Sequence, residues 1–118
     1  MDNKAFGKIF ELRTRKFAVE IIKLSSSLPY SIESKVIKNQ ITKSGTSIGA
    51  NYREANRARS NADFKHKIKI CEGETNETIF WLELISDLNW KEKDDLETLL
   101  LEAKELLAIF TSIRNKLK

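Results

Sequence analysis

The sequence predicts an all-α fold: an up-down-up-down antiparallel four-helix bundle, formed as one domain over residues 1–118. Three observations carry this expectation. Four glycines and one proline in 118 residues leave few turn formers, which suits long helices better than many short strands. Apolar residues recur at steps of three and four along four long segments. The stretches between them, SSSLPYSIES, RSNAD and DLNWKEKDD, are short and polar, and short connections between long helices set neighbours antiparallel. A chain of 118 residues, 41% hydrophobic and 32% charged, has the length for one core.

The first helix is expected from Lys4 to Ser26, with Ile9, Leu12, Phe17, Ile21, Ile22 and Leu24 at helical spacing. Pro29 then stops it, because proline lacks the backbone donor and disfavours helical geometry at Leu28. Ser31 is a candidate N-cap for the second helix. That helix carries a seam of alternating steps of four and three: Ile37, Ile41, Ser44, Ile48, Asn51, Ala55 and Ala58. Such a period marks helices crossing at a shallow angle. The seam runs through SGTSIGAN without losing phase, so Gly45 and Gly49 read as helical, at about 1 kcal/mol each relative to alanine.

The third helix continues the pattern with Phe64, Ile68, Cys71, Thr75, Thr78, Leu82 and Ile85, and Asn61 or Asp63 is placed to cap it. A hairpin of helices two and three about RSNAD would bring Asn51 near Cys71, Ile48 near Thr75 and Ser44 near Thr78. Small side chains there let the backbones approach, and the buried hydroxyls must find partners. The fourth helix starts near Asp94 and Asp95, where the macrodipole favours acids. Leu96, Leu99, Leu100, Ala103, Leu106, Leu107, Phe110 and Ile113 form its broad apolar face, and Lys116 and Lys118 lie at its end.

Several chemistries are excluded by their own requirements. A Walker loop needs Gly-Lys-Ser/Thr after a strand, and SGTSIGAN has neither the lysine nor the strand. A di-iron bundle needs two Glu-x-x-His copies, whereas His66 is the single histidine, with Asp63 three residues before it. Cys71, the single cysteine, rules out an intramolecular disulfide, and its place on the apolar seam reads as a buried structural thiol. We expect no metal, no cofactor and no enzymatic activity; the remaining enzyme reading would use Glu54, Glu72 and Glu77 with Asn51, and would need a pocket holding them. The start, MDNKAFGKIF, has no apolar core of signal-peptide length, so a cytoplasmic chain without membrane contact is expected.

Charge is unevenly spread. Residues 1–60 hold twelve Lys/Arg and five Asp/Glu, and residues 61–118 hold nine against twelve. The basic cluster Arg53, Arg57, Arg59, Lys65, Lys67 and Lys69 brackets the turn between helices two and three. It fits two readings: a phosphate-contacting surface for RNA or DNA, or a solvated helix end or subunit contact paired with acids such as Glu54 and Glu72. Tyr52 is nearby, but the cluster has no interleaved aromatics of the kind that stack single-stranded bases. Trp81 and Trp90 are expected in the core.

The stretch QITKSGTSIGANYREANRARSNADFKHKIKICEGETNETIFWLEL resembles the 23S rRNA intervening-sequence proteins through Gln40, Ser47-Ile48, Asn51, Glu54, Arg59-Ser60, Phe64, Gly73 and Glu77. It departs from them at Lys43, Gly49, Ala55 and Glu74, where the family pattern has Arg, Pro, Gly and Ser. The resemblance implies a four-helix bundle that assembles into rings, commonly pentamers, with no enzymatic activity. Gln40, Ser47, Asn51, Glu54 and Glu77 would be motif residues of structural weight. Relatives include the accessory variability determinant of diversity-generating retroelements, a basic pentamer that binds nucleic acid and a reverse transcriptase. The resemblance thus implies a homo-oligomer, with RNA or DNA or a protein as partner. Five-fold closure requires one face of each subunit to meet a different face of the next.

Overall fold

A computed structural model of the chain describes residues 3–117. Four helices follow one another: α1 (Asn3–Ser26), α2 (Ile32–Ala55), α3 (Asn61–Asp87) and α4 (Lys93–Lys116). There is no strand among the described residues, and no helix is long and apolar enough to cross a membrane.

The helix ends follow local chemistry. Ser31 caps α2 in extended geometry, its hydroxyl accepting from the Ser34 N–H at 3.0 Å. Ser60 does the same for α3, accepting from Asp63 N–H at 3.0 Å; the cap is therefore Ser60 and not Asn61 or Asp63, which lie inside the first turn. At the end of α3, Asn89 takes the left-handed conformation with φ 56°. Its N–H donates to Ser86 O at 3.1 Å and the Trp90 N–H to Ile85 O at 3.3 Å, a Schellman closure with asparagine where glycine is usual. Glu92 begins α4 without a side-chain cap, and Asp94 and Asp95 lie in its first turn.

Neighbouring helices run antiparallel. Glu11 reaches Asn56 and Ser25 reaches Thr42 across α1–α2. Ile48 meets Cys71 and Ser44 meets Thr78 across α2–α3, while Glu72 meets Thr111 across α3–α4. Arg13 bridges α1 to Glu102 and Glu105 of α4. The backbones of α1 and α3, and of α2 and α4, do not approach one another closely, so these pairs occupy opposite corners of the bundle, and Tyr52 meets Phe110 across the core through its ring alone.

The core holds Phe10, Phe17, Ile21, Ile41, Ile48, Ile68, Leu82, Ile85, Leu106 and Phe110. SGTSIGAN lies wholly within α2. A Cβ on Gly45 would stand 2.7 Å from Ile21 Cγ2, so glycine here is what lets α1 and α2 close. The Ser44 and Thr78 hydroxyls meet at 2.8 Å, and Thr78 also donates to Glu74 O at 2.8 Å. Thr14 and Thr75 donate to carbonyls of their own helices, Glu11 O at 3.0 Å and Cys71 O at 2.7 Å. Ser34 Oγ is buried without a partner, and the other buried hydroxyls find theirs mostly within their own turn. The Cys71 thiol lies 3.6 Å from Ile48 O, and the Asn51 amide donates to Ser47 O at 2.9 Å.

On α1 the apolar spacing contains two stripes. Phe10, Phe17, Ile21 and Leu24 are buried, but Ile9 (53% exposed), Leu12 (57%) and Ile22 (45%) face outward with Val19 (45%). Half-buried Trp81 and Trp90 pack against the core, and the Trp81 indole N–H is buried without a partner.

Candidate nucleic-acid interface and assembly faces

The antiparallel order gathers charge at one end. The α2–α3 turn, the starts of α1 and α3 and the ends of α2 and α4 share that end. Taking residues 3–14, 44–73 and 105–117 as this half, it carries eleven Lys/Arg and five Asp/Glu. Residues 15–43 and 74–104 form the other half, with nine against eleven. Each end of the molecule thus draws on both halves of the sequence, and Lys4, Lys8, Arg114 and Lys116 join the cluster around the turn. Lys118 lies outside the described residues.

The six cations singled out in sequence are all in this half, but not equally available. Arg53 pairs with Glu11 at 3.5 Å, and Lys67 with Glu54 at 3.5 Å. Exposed Arg57 reaches back to Arg53 O at 3.4 Å. Arg59 is exposed, and its backbone N–H donates to Asp63 at 3.4 Å. Arg57, Arg59, half-buried Lys65 and exposed Lys69 have no carboxylate at ion-pair distance among the described residues. Ion pairs of this length between partly exposed groups are weak, so Arg53 and Lys67 are held only loosely by their carboxylates.

A cavity of about 670 Å³ opens at the same end. Its walls are Phe6 of α1, Phe64 of α3, and Ile109 and Ile113 of α4, with Asn56 and Lys116 as polar groups. Tyr52 also lines it, but its ring is buried between Phe10 and Phe110 at 4.9 and 5.8 Å, and burial pushes its hydroxyl pKa up. Aromatics therefore do stand among the cations. Phe64 directly precedes Lys65 in the chain, while Phe6 joins the cations from α1.

The carboxylates of the enzyme reading do not converge. Glu72 accepts from Arg114 Nε at 2.6 Å and from the Thr111 hydroxyl at 2.8 Å, and the Arg114 bond is the main reason its pKa lies below the usual range. Glu54 meets Lys67 on the α2 side of α3 instead. Burial raises the pKa of Glu74, and nearby Glu77 adds to the rise. Burial likewise pushes the Cys71 thiol up to about 12, consistent with an inert buried sulfur. Among the described residues, no group of three His, Cys, Asp or Glu is placed to hold a metal ion.

Of the motif residues, Gln40, Ser47, Asn51 and Glu54 lie on α2 and Glu77 on α3. Gln40, Ser47 and Asn51 are half-buried and Glu54 and Glu77 exposed; Ser47 donates to Lys43 O at 2.7 Å. None of these five lines the end cavity, although Phe64, which shares the resemblance, does; none lines the α1–α4 groove of about 870 Å³ beside Arg13, Phe17 and Glu102.

Two outward faces differ in character. On α1, Ile9, Leu12, Val19 and Ile22 are exposed among Lys8, Arg15, Lys16 and Lys23. On α3, Phe80 is 55% exposed beside half-buried Trp81 and Leu84, among Glu77, Glu83 and Asp87. Exposed Gly73 lies on the same helix with open space where a Cβ would stand.

The family model for the 23S rRNA-intervening sequence protein matches residues 10–112. A crystal structure from Bacteroides thetaiotaomicron, described as a protein of unknown function from the S23 ribosomal protein family, superposes with a TM-score of 0.82 at 38% identity. It covers 88% of this chain and 96% of its own. No curated protein matches. With helix order, bundle packing and the match over residues 10–112 in agreement, the chain belongs to the 23S rRNA-intervening sequence protein family.

Proposed function

We propose that this protein is a non-enzymatic, ring-forming scaffold of helical bundles whose basic ends bind RNA or DNA. The observation that carries the reading is the pair of unlike faces on opposite corners: cationic and aliphatic on α1, acidic and aromatic on α3. Exposed apolar stripes of this kind mark contact surfaces, and opposite charge favours α1 of one copy against α3 of the next. Unlike faces make a heterologous contact, which closes into a ring when the rotation permits; a pentamer accords with the family resemblance. Assembly would also repeat the basic end around one rim, multiplying weak phosphate contacts.

Light scattering tests the assembly. The wild-type mass should be a multiple of 13.6 kDa, while Leu12→Glu and Phe80→Glu should each be monomeric with unchanged helix content. Mixed, the two variants should pair, since each keeps one intact face; a monomeric wild type overturns the proposal. Anisotropy titration of labelled RNA and DNA at low and high salt tests the second half. Binding should weaken steeply with salt, and Arg57→Ala with Arg59→Ala should weaken it on every sequence. Oligomers that bind neither probe would leave a module for assembly or a protein partner alone.

A further inference from the structure

We infer that the cavity at the basic end takes one unpaired base, making this end a reader of single strands or strand ends rather than of duplex. The inference rests on the nucleic-acid reading above and specifies its substrate. The cavity, at about 670 Å³, lies in the size range of small-molecule sites, about 300–1,000 Å³. Its apolar walls come from Phe6, Phe64, Ile109 and Ile113, with Asn3 and Ser112 beside them. Phe6 is 37% exposed and is held by stacking on Phe10, with centroids 5.5 Å apart and planes 23° apart, so one face of a fixed ring is free for a planar group. Lys116 and Asn56 stand at the same cavity, and Arg57 follows Asn56 in the chain. Glu11, the carboxylate bonded to Asn56 at 2.8 Å, is already paired with Arg53, so it repels an incoming phosphate little.

An apolar slot beside unpaired cations matches a nucleotide in both parts: base into the slot, phosphate onto the cations. A purely aliphatic occupant would leave the cations unused. A base within a duplex is stacked and paired, and withdrawing it costs a few kcal/mol, so duplex can touch only the cations.

The test is anisotropy of a short labelled oligouridylate and of the same strand annealed to its complement, with wild type, Phe6→Ala and Phe64→Leu. Thermal melts confirm that each variant is folded. The single strand should bind about tenfold tighter than the duplex. Either variant should weaken single-strand binding roughly 5- to 10-fold, the low end of what one base–aromatic stack contributes, bringing it towards the duplex affinity, and leave duplex binding unchanged. Equal affinity for both probes, insensitive to both variants, overturns the base-binding inference while the cationic reading survives. Absence of binding by either probe overturns both.

Discussion

Glycine tolerance in these helices is decided residue by residue, by what stands opposite. Gly45 faces Ile21, whose Cγ2 would lie 2.7 Å from an added Cβ and whose other branch would lie at 3.1 Å. Overpacking of that kind costs about 1–3 kcal/mol, more than the roughly 1 kcal/mol that alanine gains in helix propensity. Gly45→Ala should therefore lower the melting temperature. Gly73, with nothing within 4 Å, should behave oppositely. Measured in the Leu12→Glu background, so that assembly does not enter, Gly73→Ala should stabilise by about 0.5–1 kcal/mol. Cys71 is a third local case. Fully buried, with its thiol pushed up to about 12, it should react with a thiol reagent at pH 8 only as fast as the bundle opens, and at once in denaturant.

At the scale of the element, each helix is as good as its ends. Ser31 and Ser60 each satisfy one orphan N–H, and replacing either by alanine should cost about 1 kcal/mol in urea unfolding. The start of α4 is poorer: Glu92 makes no cap hydrogen bond. Asn89 holds a left-handed turn at φ 56°, which asparagine tolerates and β-branched residues do not. Asn89→Val should thus destabilise the α3–α4 turn by roughly 1–2 kcal/mol, and Asn89→Gly should not.

For the whole molecule, the helices are tied across the bundle by a few bridging charges. Glu72 with Arg114 joins α3 to α4, and Arg13 with Glu102 joins α1 to α4. Because Arg114 and Thr111 hold the Glu72 pKa down, this carboxylate stabilises the fold above its unfolded pKa of about 4.3. The contribution is lost as pH falls from there through the lower folded value. The urea midpoint of Glu72→Gln should accordingly change less between about pH 5 and 3 than that of the wild type. The same antiparallel order that sets these ties stacks the basic ends together, and any nucleic-acid affinity belongs to that end as a whole.

Helix number, extent and most of the core were legible in the sequence, because a 3.5-residue apolar period survives in the chain whatever it packs against. Ile37, Ile41, Ile48, Ile68, Leu82 and Ile85 were found that way, and Ser44 met Thr78 because an antiparallel hairpin about a known turn sets the register. Period alone does not say which of two apolar stripes turns inward: Ile9, Leu12 and Ile22 share the helical spacing of Phe17 and Leu24 yet stand in solvent. Nor does it say that Ser60 rather than its neighbours caps α3, a choice made by backbone geometry. The candidate site was half visible. Its cations cluster along the chain, but Phe6, Phe64, Ile113 and Lys116 come together only because four antiparallel helices bring a first, a third and a fourth terminus to one end. The sequence by itself determined the helices and their pairing through local, periodic chemistry; only the tertiary structure decided the cavity and the outward faces, because those depend on distances between residues far apart in the chain.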